Sequence, residues 1–68
     1  MRFFFHAIGN GHDHRDPDGE ELTSSAEAIE HGKQVAHELR GSFQGSAISV
    51  TDQSGNELAR LPIRARRA

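Results

Sequence analysis

The sequence predicts a small α+β domain in which one amphipathic helix packs on a mainly antiparallel sheet. Three observations predict this class. Residues 3–8 form an aromatic, strand-like run, residues 25–40 carry apolar side chains at helical spacing, and residues 47–63 alternate like a hairpin. The expected order is β-β-α-β-β with a weak second strand, and the sequence leaves the strand order in the sheet open.

The first strand is predicted over Phe3–Ile8 and ends at the turn residues Gly9–Gly11, which tolerate positive φ. The segment His12–Leu22 that follows has almost no apolar content. Its Pro17 lacks the N–H group that a central strand needs. We therefore expect a loop or a short edge strand there.

The helix is predicted over Ser25–Arg40. Ser24 and Glu27 have the spacing of a capping box, in which each side chain accepts the backbone N–H of the other residue. Gly41 then follows the last periodic residue and suits a left-handed cap. The apolar stripe, about 120° wide, consists of Ala28, Ile29, Gly32, Val35, Ala36 and Leu39.

Gly32 lies in the middle of this stripe, where glycine costs about 1 kcal/mol relative to alanine. We expect a close approach between helix and sheet to offset that cost. The shallow face of Ala28, Gly32 and Ala36 would settle onto the bulky phenylalanines of the first strand. An incidental glycine is the alternative.

The last third is predicted to form a hairpin with strands Ala47–Asp52 and Glu57–Ile63 and a four-residue loop, Gln53–Asn56. This register collects the apolar side chains on one face. Pro62 makes the last strand an edge strand. The expected cross-strand pairs are Val50 with Ala59, Ile48 with Leu61 and Ser46 with Ile63.

The sheet has one face without a helix, and the orientation of the first strand decides which rings lie on it. Either Phe4 with Ile8 or Phe3 with Phe5 points to that side, because neighbouring residues of a strand face opposite ways. The hairpin pattern adds Leu58 to the same face.

Exposed aromatic clusters usually mark interfaces. We therefore expect a homodimer or another protein partner on this face. A lid formed by Phe43 and Leu22 is the alternative. The residues predicted for the interaction surface are Phe3, Phe4, Phe5 and Leu58.

Length and composition limit the function. A chain of 68 residues without cysteine buries only about 60% of its unfolded surface and has neither disulfides nor thiolate metal sites. Oligomerisation is a common remaining source of stability. The longest apolar run, Phe3–Phe5, is too short to span a membrane, and the start lacks a signal-peptide pattern. A cytoplasmic location is expected.

Three motifs in order carry a resemblance: Met1–His6 before a glycine-bearing turn, Asp18–Leu22 before an alanine-rich helix, and Val50–Gly55 before a final strand. Together they resemble a domain-of-unknown-function family of small proteins, widespread in rhizobia and other alphaproteobacteria. The resemblance runs from Met1 to about Ile63. It implies a compact bacterial domain with a strand pair on each side of one helix, and it brings no catalytic residues. The histidine-rich loop and arginine-rich tail depart from that pattern.

The histidine-rich loop is the one candidate chemical site. It supplies imidazole and carboxylate groups within seven positions. The spacing matches no strong zinc pattern and lacks the distal glutamate of a calcium loop. A solvated turn is therefore the alternative to a divalent-metal site, whose predicted ligands are His12, His14, Asp16 and Asp18.

Charge is distributed unevenly. Residues 1–57 carry all ten acids against four bases, whereas arginines crowd the end of the chain. The predicted division is one domain over residues 1–63 and a flexible basic tail over residues 64–68. The tail is interpreted first as a solubilising end, and alternatively as a weak nucleic-acid contact. Its predicted contact residues are Arg64, Arg66 and Arg67.

Nothing in the sequence indicates catalysis, because nucleophile-elbow, phosphate-loop and paired-cysteine motifs are missing. We expect no enzyme and no cofactor. The leading hypothesis is a protein-interaction or homodimerisation module. The alternatives are a metal-binding module and an acidic phage-type inhibitor that mimics nucleic acid. The inhibitor hypothesis requires clustered exposure of Asp13, Asp16, Asp18, Glu20 and Glu21.

Overall fold

A computed structural model shows a five-stranded antiparallel sheet with one helix on one of its faces. It describes residues 1–9, 11–41 and 46–64, without the side chain of His12. The expectations for Asn10, Phe43 and the last arginines lie outside the described residues. The predicted α+β class is confirmed. The elements are β1 (Arg2–Gly9), β2 (His12–His14), β3 (Glu20–Glu21), α1 (Ser25–Glu38), β4 (Ala47–Asp52) and β5 (Glu57–Pro62).

The strand order, which the sequence left open, is β2-β1-β4-β5, with β3 also paired to β1. The weak second strand of the prediction is two short pieces, β2 and β3, on the outer side of β1. β2 pairs with the end of β1 and β3 with its start. β5 is the edge strand on the other side of the sheet, as we predicted from Pro62.

The start of α1 confirms half of the expected capping box. Ser24 Oγ accepts the N–H of Glu27 at 3.1 Å, but the Glu27 carboxylate accepts the N–H and hydroxyl of Thr23, at 2.9 and 3.1 Å. The helix ends at Glu38, two residues before the predicted end. Leu39 has left the helical region (φ −92°, ψ 4°), so the chain is already turning before Gly41, which has φ +84°.

Close approach at Gly32 is confirmed, but its partners differ from the expected phenylalanines. A Cβ added there would lie 2.6 Å from Val50 Cγ2 and 2.9 Å from Leu61 Cδ1, whereas Phe5 Cδ2 would be 3.7 Å away. These partners belong to β4 and β5. The helix accordingly lies over these two strands more than over β1.

The hairpin has the predicted register between Ala47 and Val50 on β4 and their partners on β5. Ile63 N–H also donates to Ser46 O at 3.0 Å, as the four-residue loop requires. A β-bulge then shifts the register, so that Val50 pairs with Ala59 while Thr51 pairs with Glu57. The bulge leaves Leu58 as an extra residue, half-buried against the core instead of on the opposite face.

The core lies between α1 and the sheet, and it settles the orientation of β1. Phe3 is fully buried and Phe5 is half-buried on the helix side. Phe4 and Ile8 therefore point to the opposite side. The buried apolar residues are Phe3, Ala7, Ala28, Ala36, Ile48, Val50 and Ile63.

We expect Gly32→Ala to lower the free energy of unfolding by about 1 kcal/mol. Alanine gains about 1 kcal/mol in helix propensity, but overpacking typically costs 1–3 kcal/mol, and the branched Val50 side chain has little freedom to move away. Urea unfolding followed by circular dichroism measures the change.

Gln34→Ala, on the exposed side of α1, is the matched control and should change stability by at most about 0.5 kcal/mol. In a Val50→Ala background, Gly32→Ala should destabilise less, because the nearer of the two contacting methyl groups is gone while that of Leu61 remains. Stabilisation by Gly32→Ala in the unmodified chain would contradict the close approach.

Candidate functional site

The sheet face turned away from α1, here called the open face, is the candidate site. Its side chains alternate with the core residues of β1, β4 and β5. The loop after β2 reaches its β1 side, where Gly19 lies against the Phe4 ring and Asp16 N–H donates to His6. The open face consists of Phe4, His6, Ile8, Ala47, Ser49, Thr51, Glu57, Arg60 and Pro62.

Cross-strand pairing arranges these side chains in three rows that run from β1 through β4 to β5. The first row is Phe4, Thr51 and Glu57, the second is His6, Ser49 and Arg60, and the third is Ile8, Ala47 and Pro62. The third row is wholly apolar. The open face therefore has one apolar end and a mixed polar and aromatic remainder.

The β5 side of the open face carries an ordered polar group. Ser49, only 4% exposed, donates its hydroxyl to the Glu57 carboxylate, and Arg60 Nη2 donates to the same carboxylate at 2.9 Å. The hydrogen bond from Ser49, followed by those from Arg60, lowers the pKa of Glu57. Glu57 thus stays ionised and holds the guanidinium in place.

His6 occupies the middle row on β1 and has a contact on each side of its ring. Its Nδ1 accepts the backbone N–H of Asp16 at 3.0 Å, and its Nε2 lies 3.3 Å from Thr51 Oγ1. The ring also stacks on Phe4 with 6.3 Å between centroids. Because Nδ1 accepts a hydrogen bond, neutral His6 carries its proton on Nε2 and donates toward Thr51.

This tautomer bears on catalysis, since Thr51 and His6 resemble a nucleophile and its base. A general base must accept the hydroxyl proton through a free nitrogen lone pair. Here the nitrogen that faces Thr51 is the protonated one. The pair is therefore a structural contact, and it gives no support to an activated hydroxyl.

Asp16 connects the loop to the centre of β1. Its carboxylate accepts the N–H groups of Phe5, Asp18 and Gly19 at 3.1–3.3 Å. Partial burial acts to raise the pKa of Asp16, but these backbone hydrogen bonds and nearby His6 outweigh it, and the net pKa is lowered. The carboxylate thus takes the place of a partner strand between β2 and β3.

Both edges of the sheet are protected against strand addition. On the β1 side, the edge strands β2 and β3 are only three and two residues long, and Asp16 binds the N–H of Phe5 between them. On the other side, β5 combines Pro62, the charged pair Glu57 and Arg60, and the bulge at Leu58. Prolines, charges and bulges are the devices that prevent edge-to-edge pairing.

The structure separates the residues predicted for the interaction surface. Phe4 is half-buried on the open face, whereas Phe3, Phe5 and Leu58 lie on the core side. Phe3 has no exposed surface, and Phe5 makes an edge-to-face contact with His31 at 4.8 Å. Of these four residues, Phe4 alone belongs to the open face.

The residues predicted for a metal site have other roles where they are described. Asp16 binds backbone N–H groups, and the carbonyl oxygen of Asp18 accepts from Arg2 Nη1 at 2.9 Å. His14 pairs with Ala7 across the strands. Among the described side chains, no group of three or more metal-ligating residues lies close together. The His12 side chain lies outside them, so the metal hypothesis stays a prediction.

The acidic residues named for nucleic-acid mimicry are partly neutralised. Glu21 lies 2.6 Å from the Met1 amino group and 3.6 Å from Arg2, and Asp13 lies 3.0 Å from Arg15. Asp16 is half-buried. Such pairing reduces the continuous negative surface that mimicry requires, and this hypothesis also stays a prediction.

The nucleic-acid contact predicted for the tail is only partly within the described residues. Arg64 is exposed, and its carbonyl oxygen accepts the N–H of Gly41 at 3.0 Å. Arg66 and Arg67 lie outside the described part of the chain. The tail prediction and the domain boundary after residue 63 therefore remain open.

The family described as domain of unknown function (DUF6894) matches residues 2–64. The chain belongs to this family. DUF6894 membership confirms the expected family class, and the matched range contains every described element. No curated protein and no solved structure matches the chain. Within the described residues, no helix is long and apolar enough to cross a membrane.

The sequence reasoning missed His6 and the pair formed by Glu57 and Arg60. A signal existed for His6, because a polar residue interrupts the apolar run of β1 between Phe4 and Ile8. Glu57 and Arg60 meet because of the bulge, which period-two counting does not reveal.

We expect Asp16→Ala to lower the free energy of unfolding by roughly 1–3 kcal/mol, because three backbone N–H groups lose a charged acceptor. Asp18→Ala is the matched control, since the contacts of Asp18 described above use its backbone. Equal losses for the two variants would contradict this role of Asp16.

The lowered pKa of Asp16 also predicts that the free energy of unfolding falls at acid pH. A lowered folded pKa contributes stability that is present above about pH 4, the unfolded value, and is lost as the pH falls through the folded pKa. Urea midpoints measured between about pH 6 and pH 2 should therefore fall less steeply for Asp16→Asn than for the unmodified chain. Parallel curves would contradict the assignment.

We expect neutral His6 to be protonated on Nε2. Two-dimensional ¹H–¹⁵N spectra that correlate ring protons with ring nitrogens distinguish the tautomers directly. Thr51→Val should leave this tautomer unchanged, because the Asp16 N–H fixes it from the other side. A proton on Nδ1 would contradict the hydrogen bond from Asp16.

Proposed function

We propose that this protein is a non-enzymatic interaction module that forms a homodimer through the open face. The observation that carries the proposal is the apolar row of Ile8, Ala47 and Pro62, with Phe4 at the opposite corner of the same face. These groups lie on the one side of the sheet that α1 does not cover. An apolar sheet face gains stability when a second layer removes it from water.

The protected edges favour a face as the contact surface. Strand addition at β5 would meet Pro62, which has no N–H to donate, and the bulge at Leu58. The β1 side is already paired or occupied by Asp16. These two observations favour the open face as the contact surface.

Charge complementarity favours a second copy as the partner. The β5 side of each open face presents a carboxylate, Glu57, and a guanidinium, Arg60, both more than a third exposed. On the β2 side, Asp13 lies beside Ile8 and is paired with Arg15. A two-fold axis places the same patch on both sides of the contact, so each cation can meet the other copy's anion. The apolar rows then meet without a net charge between them.

The area of the open face sets the expected affinity of the dimer. Three strands about 4.8 Å apart and about 20 Å long give roughly 300 Å² of projected area. Stable interfaces bury about 800 Å² per partner, which the open face alone does not supply. The proposed dimer is therefore weak, with a Kd between about 1 µM and 1 mM.

Two further expectations belong to this proposal. The resemblance noted in the sequence implies an alphaproteobacterial type of protein, and the composition favours a cytoplasmic location. A weak dimer without a catalytic group suits an interaction module. Its dimer fraction would change with the protein concentration or with competition from another protein partner.

Ile8→Lys tests the proposal by placing a charge in the apolar row. Ile8 pairs with Asp13 on β2, so the new lysine has a cross-strand carboxylate and the fold should persist. Sedimentation velocity from about 10 µM to 1 mM should show concentration-dependent association of the unmodified chain. The variant should stay monomeric over the same range.

Gln34→Lys adds the same charge on the exposed side of α1 and should leave association unchanged. Circular dichroism confirms that both variants are folded. A monomer at every concentration for the unmodified chain, or equal loss of association in both variants, would overturn the proposal.

A further inference from the structure

A cleft of about 320 Å³ opens on the helix side of the sheet, on the opposite side from the open face. It lies between the loop after β2 and the C-terminal end of α1, and the helix packs less on β1 here than on β4 and β5. Two of its lining residues, Ala7 and Ile48, are 4% and 1% exposed, so its floor reaches the core. The other apolar groups of its wall are Phe5, Pro17, Val35 and Leu39.

Asp16 also lines the cleft and gives it a negative charge. Its Oδ1 accepts the N–H groups of Asp18 and Gly19, whereas its Oδ2 accepts one N–H group, that of Phe5. A carboxylate oxygen has two lone pairs, so Oδ2 can accept a second hydrogen bond. Although partial burial raises it, the backbone hydrogen bonds bring the pKa of Asp16 below its ordinary value. The carboxylate is therefore ionised at neutral pH, and Oδ2 is the oxygen available to a ligand.

The basic residues at the rim leave this charge in place. Arg15 lines the rim, but its Nε lies 3.0 Å from Asp13 Oδ1. Asp13 pairs with Ile8, so its side chain lies on the open-face side of the sheet and draws the guanidinium away from the cleft. The other basic residue at the rim is His14. At about pH 7.5, where histidine is ordinarily neutral, the Asp16 carboxylate is the main charge at the cleft.

We propose that this cleft binds a small primary amine with an apolar body, such as a short alkylammonium or arylalkylammonium ion. The ammonium group donates to Asp16 Oδ2, and the apolar body lies against Ala7, Val35 and Ile48, where it is removed from water. The volume is at the lower limit of small-molecule sites, which span about 300–1,000 Å³, so the ligand is short. An anionic head is disfavoured, because the Asp16 carboxylate repels it.

The experiment titrates ¹⁵N-labelled protein at about pH 7.5 with hexylammonium, hexanol and hexanoate, which share one apolar body and differ in charge. Hexylammonium should shift the amide signals of Ala7, Val35 and Ile48 in one saturable process, with a Kd on the order of 1 mM for so small a probe. The Phe5 N–H signal should also move, because this group donates to Asp16 Oδ2. Hexanol should bind about two- to fivefold more weakly, the range that a partly exposed ion pair supports, and hexanoate more weakly still. Signals from the open face should not move.

Three variants assign the interaction. Asp16→Asn removes the charge and keeps the size of the side chain, so the preference for hexylammonium over hexanol should disappear. Asp18→Asn is the matched control, because it removes the same charge from a neighbouring residue that does not line the cleft, and it should keep the preference. Val35→Phe fills the cleft from the helix side and should abolish the shifts with all three probes while the remaining spectrum shows a folded chain.

The probe series with the unmodified chain decides the proposal if Asp16→Asn or Val35→Phe fails to fold. Hexanol or hexanoate that binds as tightly as hexylammonium would overturn the assigned ligand class. Shifts spread over the open face, or no saturable shift, would overturn the site itself. An equal effect of Asp16→Asn and Asp18→Asn would overturn the assignment of Asp16 as the group that recognises the ammonium.

Discussion

The contact of Gly32 with Val50 and Leu61 determines how the two layers of this domain fit together. No side chain separates the helix backbone from β4 and β5 at this point. The helix backbone therefore lies directly on the side chains of β4 and β5, and the helix covers these two strands in preference to β1. One packing contact thus positions the helix over the core and leaves the far face of the sheet without a helix.

β1 depends on a second constraint, which is the supply of hydrogen-bond partners along its outer edge. β2 and β3 are too short to cover it, and Asp16 satisfies the middle with a side chain in place of a strand. The same residue donates its N–H to His6, so one loop position fixes both a backbone edge and a ring orientation. Asp16, one of the four residues predicted as metal ligands, therefore serves as part of the sheet.

Local sequence patterns predicted much of the fold. The serine cap, the apolar stripe of α1 and the register of the final hairpin depend on residues close together in the chain, and all three are observed. The partners of Gly32 were not predictable, because they depend on how far the helix slides across the sheet. The bulge at Leu58 was equally hidden, since inserting one residue reverses the faces that period-two alternation assigns.

The termination of the sheet at β5 has a consequence for how copies of the chain can accumulate. Edge-to-edge pairing leaves a fresh edge at every step, and the product is a filament that grows without limit. Pro62, Arg60 and the bulge remove that route. In the proposed dimer, contact through a flat face is used up once two copies meet, so crowding would lead to a finite particle and not to a polymer.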